Sequence, residues 1–194
     1  SPLIIVKWQQ SINGKIGATG SERVLISNDY TNRLVHKWRS EEAAILIGTN
    51  TALLDDPLLT TRLWSGKNPV RIVIDKELRL PSTLKVFNRD AKTIIYNLVK
   101  NLNEENLVHI QLEKANFIEQ LIHSLFELNI QSILIEGGSK TLKSFIDKDL
   151  WDEIRVITNE KLVIENGINA PEIKHVVLEK QEKYGSDLVN YFRR

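Results

Sequence analysis

The sequence predicts an α/β fold in which a mixed, mostly parallel sheet is flanked by helices and ends in an antiparallel C-terminal hairpin. Short apolar runs alternate along the chain with segments of helical periodicity, which is typical of parallel strands joined by crossover helices. The last run, 176–192, instead indicates two strands around Gly185-Ser186-Asp187, and this favours an antiparallel pair at one edge. The length of 194 residues suits a single domain over residues 1–194.

Composition excludes several kinds of site before any motif is considered. The chain is 42% hydrophobic and 26% charged, and 26 Lys and Arg balance 25 Asp and Glu, so it offers nucleic acid no general attraction. With no Cys and four scattered His, we expect no metal site. Because no apolar stretch is long enough for a membrane span, we expect a cytoplasmic protein. A chain that starts at Ser1 and has no Met is also expected to be part of a longer one.

Apolar runs and capping residues predict the elements of the N-terminal half. Strands are predicted at 3–8, 43–47, 70–75 and 93–96. Asn28 and Asp29 are placed to cap a helix over 30–42, and Thr49 or Asn50 to cap a short helix over 51–54. Residues 55–57 end that helix, because the residue before Pro avoids the helical region.

The C-terminal half is predicted in the same way. Residues 107–112 alternate apolar and polar side chains, which predicts a half-exposed strand near a sheet edge. Apolar residues at helical spacing predict a helix from Phe117 to Leu128. Further strands are predicted at 132–136 and 151–158, and a helix from Ser139 to about Asp147. The apolar strand at 151–158 lies beside the hairpin edge and is expected to be available for pairing with a second copy.

The strand, glycine turn and helix of residues 132–147 form the most informative local motif. A helix N-terminus presents unpaired N–H groups and partial positive charge, and glycines let a phosphate approach the backbone. Gly137-Gly138 therefore fits a diphosphate cradle, or equally a plain strand-to-helix turn with Ser139 as N-cap. Neither G-x-G-x-x-G, nor a P-loop, nor a G-x-S-x-G elbow is present.

Single charged residues leave two interpretations open. Glu136 ends a buried strand, where a carboxylate must meet either a ligand hydroxyl or a protein cation. Taken singly, Asp55 is typical of a turn residue. Lys7, Arg39 and Arg62 are likewise typical of solvated surface charges.

Taken together, however, the segments resemble one family. The matching stretches, in order, are Val6-Lys7, 11–16, 36–39, 44–48, 51–60, Arg62, 70–75 and 135–138. They resemble the reductase domain of the bacterial bifunctional riboflavin-biosynthesis deaminase-reductase. The resemblance implies a dihydrofolate-reductase-like fold, a homodimer and NADPH as hydride donor. It implies reduction of the ribosyl group of 5-amino-6-(5-phosphoribosylamino)uracil to the ribityl form, in a natural chain that also carries an N-terminal deaminase domain.

The resemblance also implies a role for individual positions. Cofactor contacts are implied for Thr51, Asp55, Lys76, Gly137, Gly138, Ser139, Thr141 and Leu142. Substrate contacts are implied for Lys7, Ser21, Arg39, Leu59, Arg62 and Glu136. Among these, Lys7, Asp55 and Glu136 are the catalytic candidates, and no metal ligand is implied.

Three positions depart from the family pattern. Asn13 stands where Asp is usual, Arg23 stands near an expected Ser, for which Ser21 is the substitute, and Leu25 replaces a Trp. Two other interpretations therefore remain beside the main one. A dihydrofolate or other pterin reductase on the same fold would need a carboxylate facing a pteridine and no phosphate clamp. A degenerate, non-catalytic domain kept for dimerisation or for scaffolding a deaminase would not bind NADPH.

Overall fold

A computed structural model describes residues 1–20 and 23–194. The strands are β1 (Leu3–Ser11), β2 (Lys15–Ala18), β3 (Ala44–Gly48), β4 (Val70–Ile74), β5 (Thr93–Asn97), β6 (Leu102–Glu104), β7 (Leu107–Gln111), β8 (Ser132–Ile135), β9 (Glu153–Asn159), β10 (Gly167–Asn169), β11 (Val177–Tyr184) and β12 (Asp187–Arg193). The helices are α1 (Asp29–Glu41), α2 (Thr49–Asp55), α3 (Phe117–Glu127) and α4 (Ser139–Ile146). Within these residues, no helix combines the length and the apolar character that crossing a bilayer requires.

Ten of the strands form one mixed sheet, in the order β11-β12-β9-β1-β8-β3-β4-β5-β7-β6. The seven strands from β9 to β7 are parallel, whereas β12, β11 and β6 pair antiparallel with their inner neighbours. This confirms the mixed, mostly parallel sheet and its C-terminal hairpin. The two remaining strands, β2 and β10, pair with each other outside this sheet and are called the β2–β10 ribbon.

The core lies on both faces of the large sheet, because successive side chains of a strand point to opposite sides. On β1, Val6 packs into the cluster that includes α3 and α4, whereas Ile5 packs against Val35 and Trp38 of α1. Helices α1 and α2 cover one face and α3 and α4 the other. Lys7 has the same side-chain parity as Ile5, so it lies on the face covered by α1.

Two of the predicted helix caps differ from the structure. Asn28 does cap α1, and its side chain accepts a 3.1 Å hydrogen bond from the Thr31 N–H. Helix α2, however, starts at Thr49 after Gly48, and the Thr49 hydroxyl donates to the Ile74 carbonyl instead of capping. Ser139 is likewise the first residue of α4, and its cap position holds Gly138. Helix α2 therefore follows β3 directly at Gly48, whereas Glu136, Gly137 and Gly138 separate α4 from β8.

The predicted strand at 151–158 corresponds to β9, but its expected availability for pairing with a second copy is wrong. This strand pairs with β1 on one side and with β12 on the other, so both of its edges are used. The open edge of the hairpin is β11. Strands β2, β6 and β10 were not predicted, since they are three or four residues long and carry polar residues or glycine.

Candidate active site

A cleft of about 980 Å³ opens at the carboxyl ends of the parallel strands. Ligands of open α/β sheets bind at this edge, and the volume is at the upper end for ligand pockets. The cleft wall contains most of the residues singled out from the sequence: Lys7, Arg39, Thr51, Asp55, Leu59, Lys76, Glu136, Gly137, Gly138, Ser139 and Thr141. The wall thus joins the ends of β1, β3, β4 and β8.

Two of the predicted site residues within the described ranges are not on this wall. Leu142 is fully buried and packs into the core through α4, so its side chain is closed to a ligand. Arg62 is exposed beside the cleft. Ser21 lies outside the described residues.

A buried cluster of three charges, formed by Lys7, Arg39 and Glu136, lies at the centre of the cleft. The Arg39 guanidinium donates two hydrogen bonds to the Glu136 carboxylate, from Nε to Oε1 at 3.0 Å and from Nη2 to Oε2 at 2.8 Å. The Lys7 ammonium lies 3.8 Å from Oε2. Glu136 therefore meets protein cations, and the interpretation of Lys7 and Arg39 as solvated surface charges is wrong. The cluster carries a net charge of +1.

The electrostatics of this cluster assign different protonation behaviour to its members. Burial alone would raise the pKa of Glu136, but the charges of Arg39 and Lys7 and the Arg39 hydrogen bonds outweigh it and hold the pKa at about 2. Glu136 is therefore a permanent anion at neutral pH. Burial lowers the pKa of Lys7, against the attraction of Glu136. Lys7 is thus the group of this cluster suited to releasing a proton.

His36 connects the cluster to the loop that carries Arg62. Its ring is 2% exposed, and burial together with the charges of Arg39 and Arg62 lowers its pKa to about 4. The imidazole is therefore neutral, and Nδ1 accepts a 3.4 Å hydrogen bond from the Leu63 N–H. This contact fixes the loop against α1. Partial burial and the charges of Arg39 and Arg23 also lower the pKa of Arg62, so Arg62 lies in the same positive field.

The N-termini of α2 and α4 meet at a glycine junction. The Gly138 N–H donates to Thr51 Oγ1 at 2.9 Å, which ties the two helices together. A Cβ on Gly48 would lie 2.3 Å from Thr141 Oγ1, and one on Gly137 would lie 2.5 Å from Thr141 Cβ. Only glycine permits this packing, because the Thr141 side chain fills the space that a Cβ would take at either position. Ser139 and Lys140, the first residues of α4, line the cleft, and their N–H groups have no partner within the helix.

The two adjacent aspartates have different surroundings. Asp55 is half-buried on the cleft wall, and its Oδ1 lies 3.9 Å from Arg23 Nε. Asp56 points away and accepts a 2.7 Å hydrogen bond from the Lys85 N–H, with its backbone in the left-handed region at φ 39°. Asp56 is therefore a structural turn residue, and Asp55 is the aspartate available to a ligand.

Several residues on the cleft wall were not identified from the sequence. Trp8 and Gln9 follow Lys7 on β1, and Ile16 comes from the β2–β10 ribbon. Trp8 and Gln9 were within reach of sequence reasoning, because both lie toward the carboxyl end of a predicted parallel strand. Ile16 was not, since the ribbon joins segments about 150 residues apart.

The other end of the cleft carries exposed charges. The Lys76 ammonium lies 4.7 Å from the centre of the Phe117 ring, and Arg79 pairs with Glu77 at 3.2 Å. All three charged residues line the cleft. Two cations against one anion make this end of the cleft suitable for an anionic group.

Comparison with known proteins gives consistent matches along the chain. Residues 2–186 match the family model described as the RibD C-terminal domain. A riboflavin biosynthesis protein RibD from Aquifex aeolicus is 35% identical over 100% of this chain and 58% of that protein. A 2,5-diamino-6-ribosylamino-4(3H)-pyrimidinone 5′-phosphate reductase from Methanothermobacter thermautotrophicus is 34% identical over 80% of this chain and 76% of that protein.

The fold has a close match among solved structures. A diaminohydroxyphosphoribosylaminopyrimidine deaminase/5-amino-6-(5-phosphoribosylamino)uracil reductase from Thermotoga maritima superposes with a TM-score of 0.87 at 25% identity. The match covers 99% of this chain and 56% of that one. The dihydrofolate-reductase-like fold is therefore confirmed. The chain spans somewhat more than half the length of these two-domain relatives.

Proposed function

The chain belongs to the RibD C-terminal domain family, and from this we propose that it reduces the ribosyl group of a phosphoribosylamino-pyrimidine to the ribityl form with NADPH. The observation that carries the proposal is one cleft that joins the glycine junction at the N-terminus of α4 to a buried Lys7–Glu136–Arg39 cluster. The first feature suits a dinucleotide, and the second suits the sugar that is reduced.

The residues around the glycine junction fit the cofactor. Gly137 and Gly138 lead into α4, where the Ser139 and Lys140 N–H groups can meet a diphosphate and the helix N-terminus adds partial positive charge. Lys76 and Arg79 at the far end suit the 2′-phosphate of NADPH. Thr51 fixes the junction, and Asp55 borders the remaining part of the cleft. Bound there, NADPH supplies the hydride for the reduction.

The residues of the buried cluster account for the other half of the reaction. Opening of the ribosylamine ring gives an imine, whose carbon gains a hydride while a proton must reach the heteroatom. We assign this proton to the Lys7 ammonium, because its lowered pKa favours release and Glu136 stays ionised. Glu136 holds Lys7 in position, and Arg39 in turn holds Glu136. Leu59, which is 1% exposed at a positive φ of 56°, closes the wall beside them.

The substrate phosphate is assigned to Arg62 rather than to Arg39. The Arg39 guanidinium already donates to Glu136 from two nitrogens and to the Thr60 carbonyl from the third, at 3.4 Å. Arg62 is exposed next to that positive cluster, and charge-assisted bonds to phosphate are about twice as strong as neutral ones. Ser21 remains a proposed hydroxyl contact from the sequence.

A pterin reductase is the weaker alternative. It requires a carboxylate that is free to bind a pteridine, whereas Glu136 is engaged by both Arg39 and Lys7. A degenerate domain is also disfavoured, since a buried charge cluster is costly to keep for stability alone.

We also propose a homodimer through the open edge of β11. In antiparallel pairing of two copies centred on Gln181, Glu179 would face Lys183 and Lys180 would face Glu182 of the partner strand. If the centre shifts by one residue, Lys180 of one copy faces Lys180 of the other, or Glu182 faces Glu182. Repulsion between these like charges favours the register centred on Gln181. Lys180→Glu should abolish the dimer mass in sedimentation, and the charge swap Lys180→Glu with Glu182→Lys should restore it. A wild-type monomer at micromolar concentration would contradict this arrangement.

The proposed reaction is tested by loss of the nicotinamide absorbance with two substrates. One is 5-amino-6-(5-phosphoribosylamino)uracil, as in the name of the Thermotoga relative, and the other is the diaminopyrimidinone named for the archaeal relative. We expect NADPH oxidation with the uracil substrate and a ribityl product, and slower oxidation with the second. Oxidation with dihydrofolate alone would support the pterin reductase, and no NADPH binding would support the degenerate domain.

A further inference from the structure

The β2–β10 ribbon forms one wall of the cleft without belonging to the large sheet. Ile16, Gly17 and Ala18 of β2 and Ile168 of β10 line the cleft. Two-stranded sheets of three or four residues are marginal by themselves. The position of this wall must therefore be fixed by contacts outside the ribbon's own ladder.

One such contact is a clasp made by the Asn13 carboxamide. Its Nδ2 donates to the Ile164 carbonyl at 2.9 Å, and its Oδ1 accepts from the Ile164 N–H at 3.2 Å. A single side chain thus pairs with both backbone groups of one residue 151 positions away. Ile164 lies just before β10, so the clasp holds the chain at the point where it enters the ribbon.

Ser11 extends the clasp to the other strand. Its hydroxyl is fully buried, donates to Asn13 Oδ1 at 2.6 Å and accepts from the Lys15 N–H at 3.0 Å. Lys15 is the first residue of β2. The end of β1, the start of β2 and the approach to β10 are therefore linked through one amide group.

Asn13 acts at a distance from the ligand. Its side chain is exposed and lies outside the cleft wall described above, so its effect must pass through the ribbon. The ribbon presents apolar side chains and glycine backbone to the cleft, which suits the flat face of a ring and not a phosphate. Within the proposed function, we assign this ring to the nicotinamide of the cofactor.

We infer that Asn13 is a positioning residue, which sets the affinity of the cleft for the nicotinamide cofactor by holding the β2–β10 ribbon in place. This inference rests on the proposed function. In this structure the residue at position 13 both donates and accepts, which an amide can do. An aspartate would accept from Ile164 N–H and from Ser11, but its second oxygen would face the Ile164 carbonyl with no proton to donate.

The test measures the affinity of NADP⁺ for wild type, Asn13→Ala and Asn13→Asp at pH 8 and at pH 5, with tryptophan fluorescence as the binding signal. Both variants should bind about 5- to 100-fold more weakly at pH 8, the scale of one lost and unsatisfied hydrogen bond. The Ile164 carbonyl that faces the new carboxylate disfavours its ionised form and raises its pKa, so protonation at pH 5 restores a donor and Asn13→Asp should recover in part, while Asn13→Ala should not. Lys15 and Glu165, the charged residues closest along the chain to Asn13 and Ile164, are the same in all three proteins.

Wild-type affinity in Asn13→Ala, or no recovery of Asn13→Asp on acidification, would overturn the inference. Hydrogen exchange of residues 15–18 and 167–169 without any ligand provides a second readout. The variants should exchange faster there while the ten-stranded sheet stays protected, and unchanged ribbon exchange would again overturn the inference. If wild type does not bind NADP⁺ but the variants still exchange faster in the ribbon, the proposed function is wrong. The structural part of the inference, that Asn13 holds the ribbon in place, would still stand.

Discussion

Removal of the Glu136 charge is the perturbation whose magnitude the structure defines best. Glu136→Gln keeps the size of the side chain but leaves the Arg39 and Lys7 cations buried without a counter-charge. The pKa of about 2 lies about two units below the ordinary value, which corresponds to about 3 kcal/mol in favour of the ionised form. Removing one partner of a buried ion pair costs about 3 to 5 kcal/mol, so both estimates agree. We therefore expect about 3 kcal/mol of lost stability at pH 7.

The assay is urea unfolding at pH 7 and at lower pH. Because the folded-state pKa of Glu136 is depressed, its contribution is complete above its ordinary pKa of about 4.3 and is lost as pH falls through about 2. The difference between wild type and Glu136→Gln should therefore shrink over this range. Glu119→Gln is the matched control, since Glu119 pairs with Lys148 on the surface and should change stability by at most about 1 kcal/mol.

A double-mutant cycle isolates the pair itself. Arg39→Met combined with Glu136→Gln should cost less than the sum of the two single changes, by about 1 to 3 kcal/mol. Additive effects, or a loss below about 1 kcal/mol in Glu136→Gln, would refute the reasoning. The cluster would then not be a coupled buried unit.

Four further outcomes follow from the same structure. Arg62→Ala should raise the KM of the phosphorylated substrate about 10- to 150-fold. If the variant keeps the full wild-type preference for the phosphorylated over the dephosphorylated substrate, Arg62 does not bind the phosphate. Asp55→Ala should lower turnover about 100-fold or more. If the variant instead keeps full turnover and loses only thermal stability, Asp55 is a structural turn residue and has no role in the reaction. NADPH should bind more tightly than NADH because of Lys76 and Arg79, and equal Kd values at low salt would contradict this. The folded protein should lose stability as the pH falls from about 6.5 to about 4. In this range His36 takes up a proton in the unfolded chain but stays neutral in the folded protein, where its pKa is about 4. In His36→Gln, the urea midpoint should depend less on pH over this range.

Local patterns were sufficient for most of the fold. Apolar runs identified the parallel strands, Asn28 identified the start of α1, and Gly185-Ser186 identified the turn of the hairpin. These features depend on neighbours within a few residues. The same local patterns failed for Thr49 and Ser139, because a glycine occupies the cap position of each helix and no side-chain cap hydrogen bond forms there.

The site required contacts that local patterns do not contain. Arg39 and Glu136 are 97 residues apart, so the sequence left open whether Glu136 met a ligand or a cation. The β2–β10 ribbon depends on Asn13 and Ile164, which are 151 residues apart. The departure at Asn13 was visible in the sequence, but its partner became visible only in the fold.

The most direct test of the central claim is the rate of one turnover with enzyme in excess over substrate, followed by nicotinamide absorbance in wild type, Lys7→Met and Lys7→Arg. If Lys7 supplies the proton beside Glu136, Lys7→Met should be slower by about 100-fold or more, with NADP⁺ affinity unchanged. Lys7→Arg keeps the charge but holds its proton more tightly, and should stay nearly as slow. A rate in Lys7→Met equal to that of wild type would contradict the account.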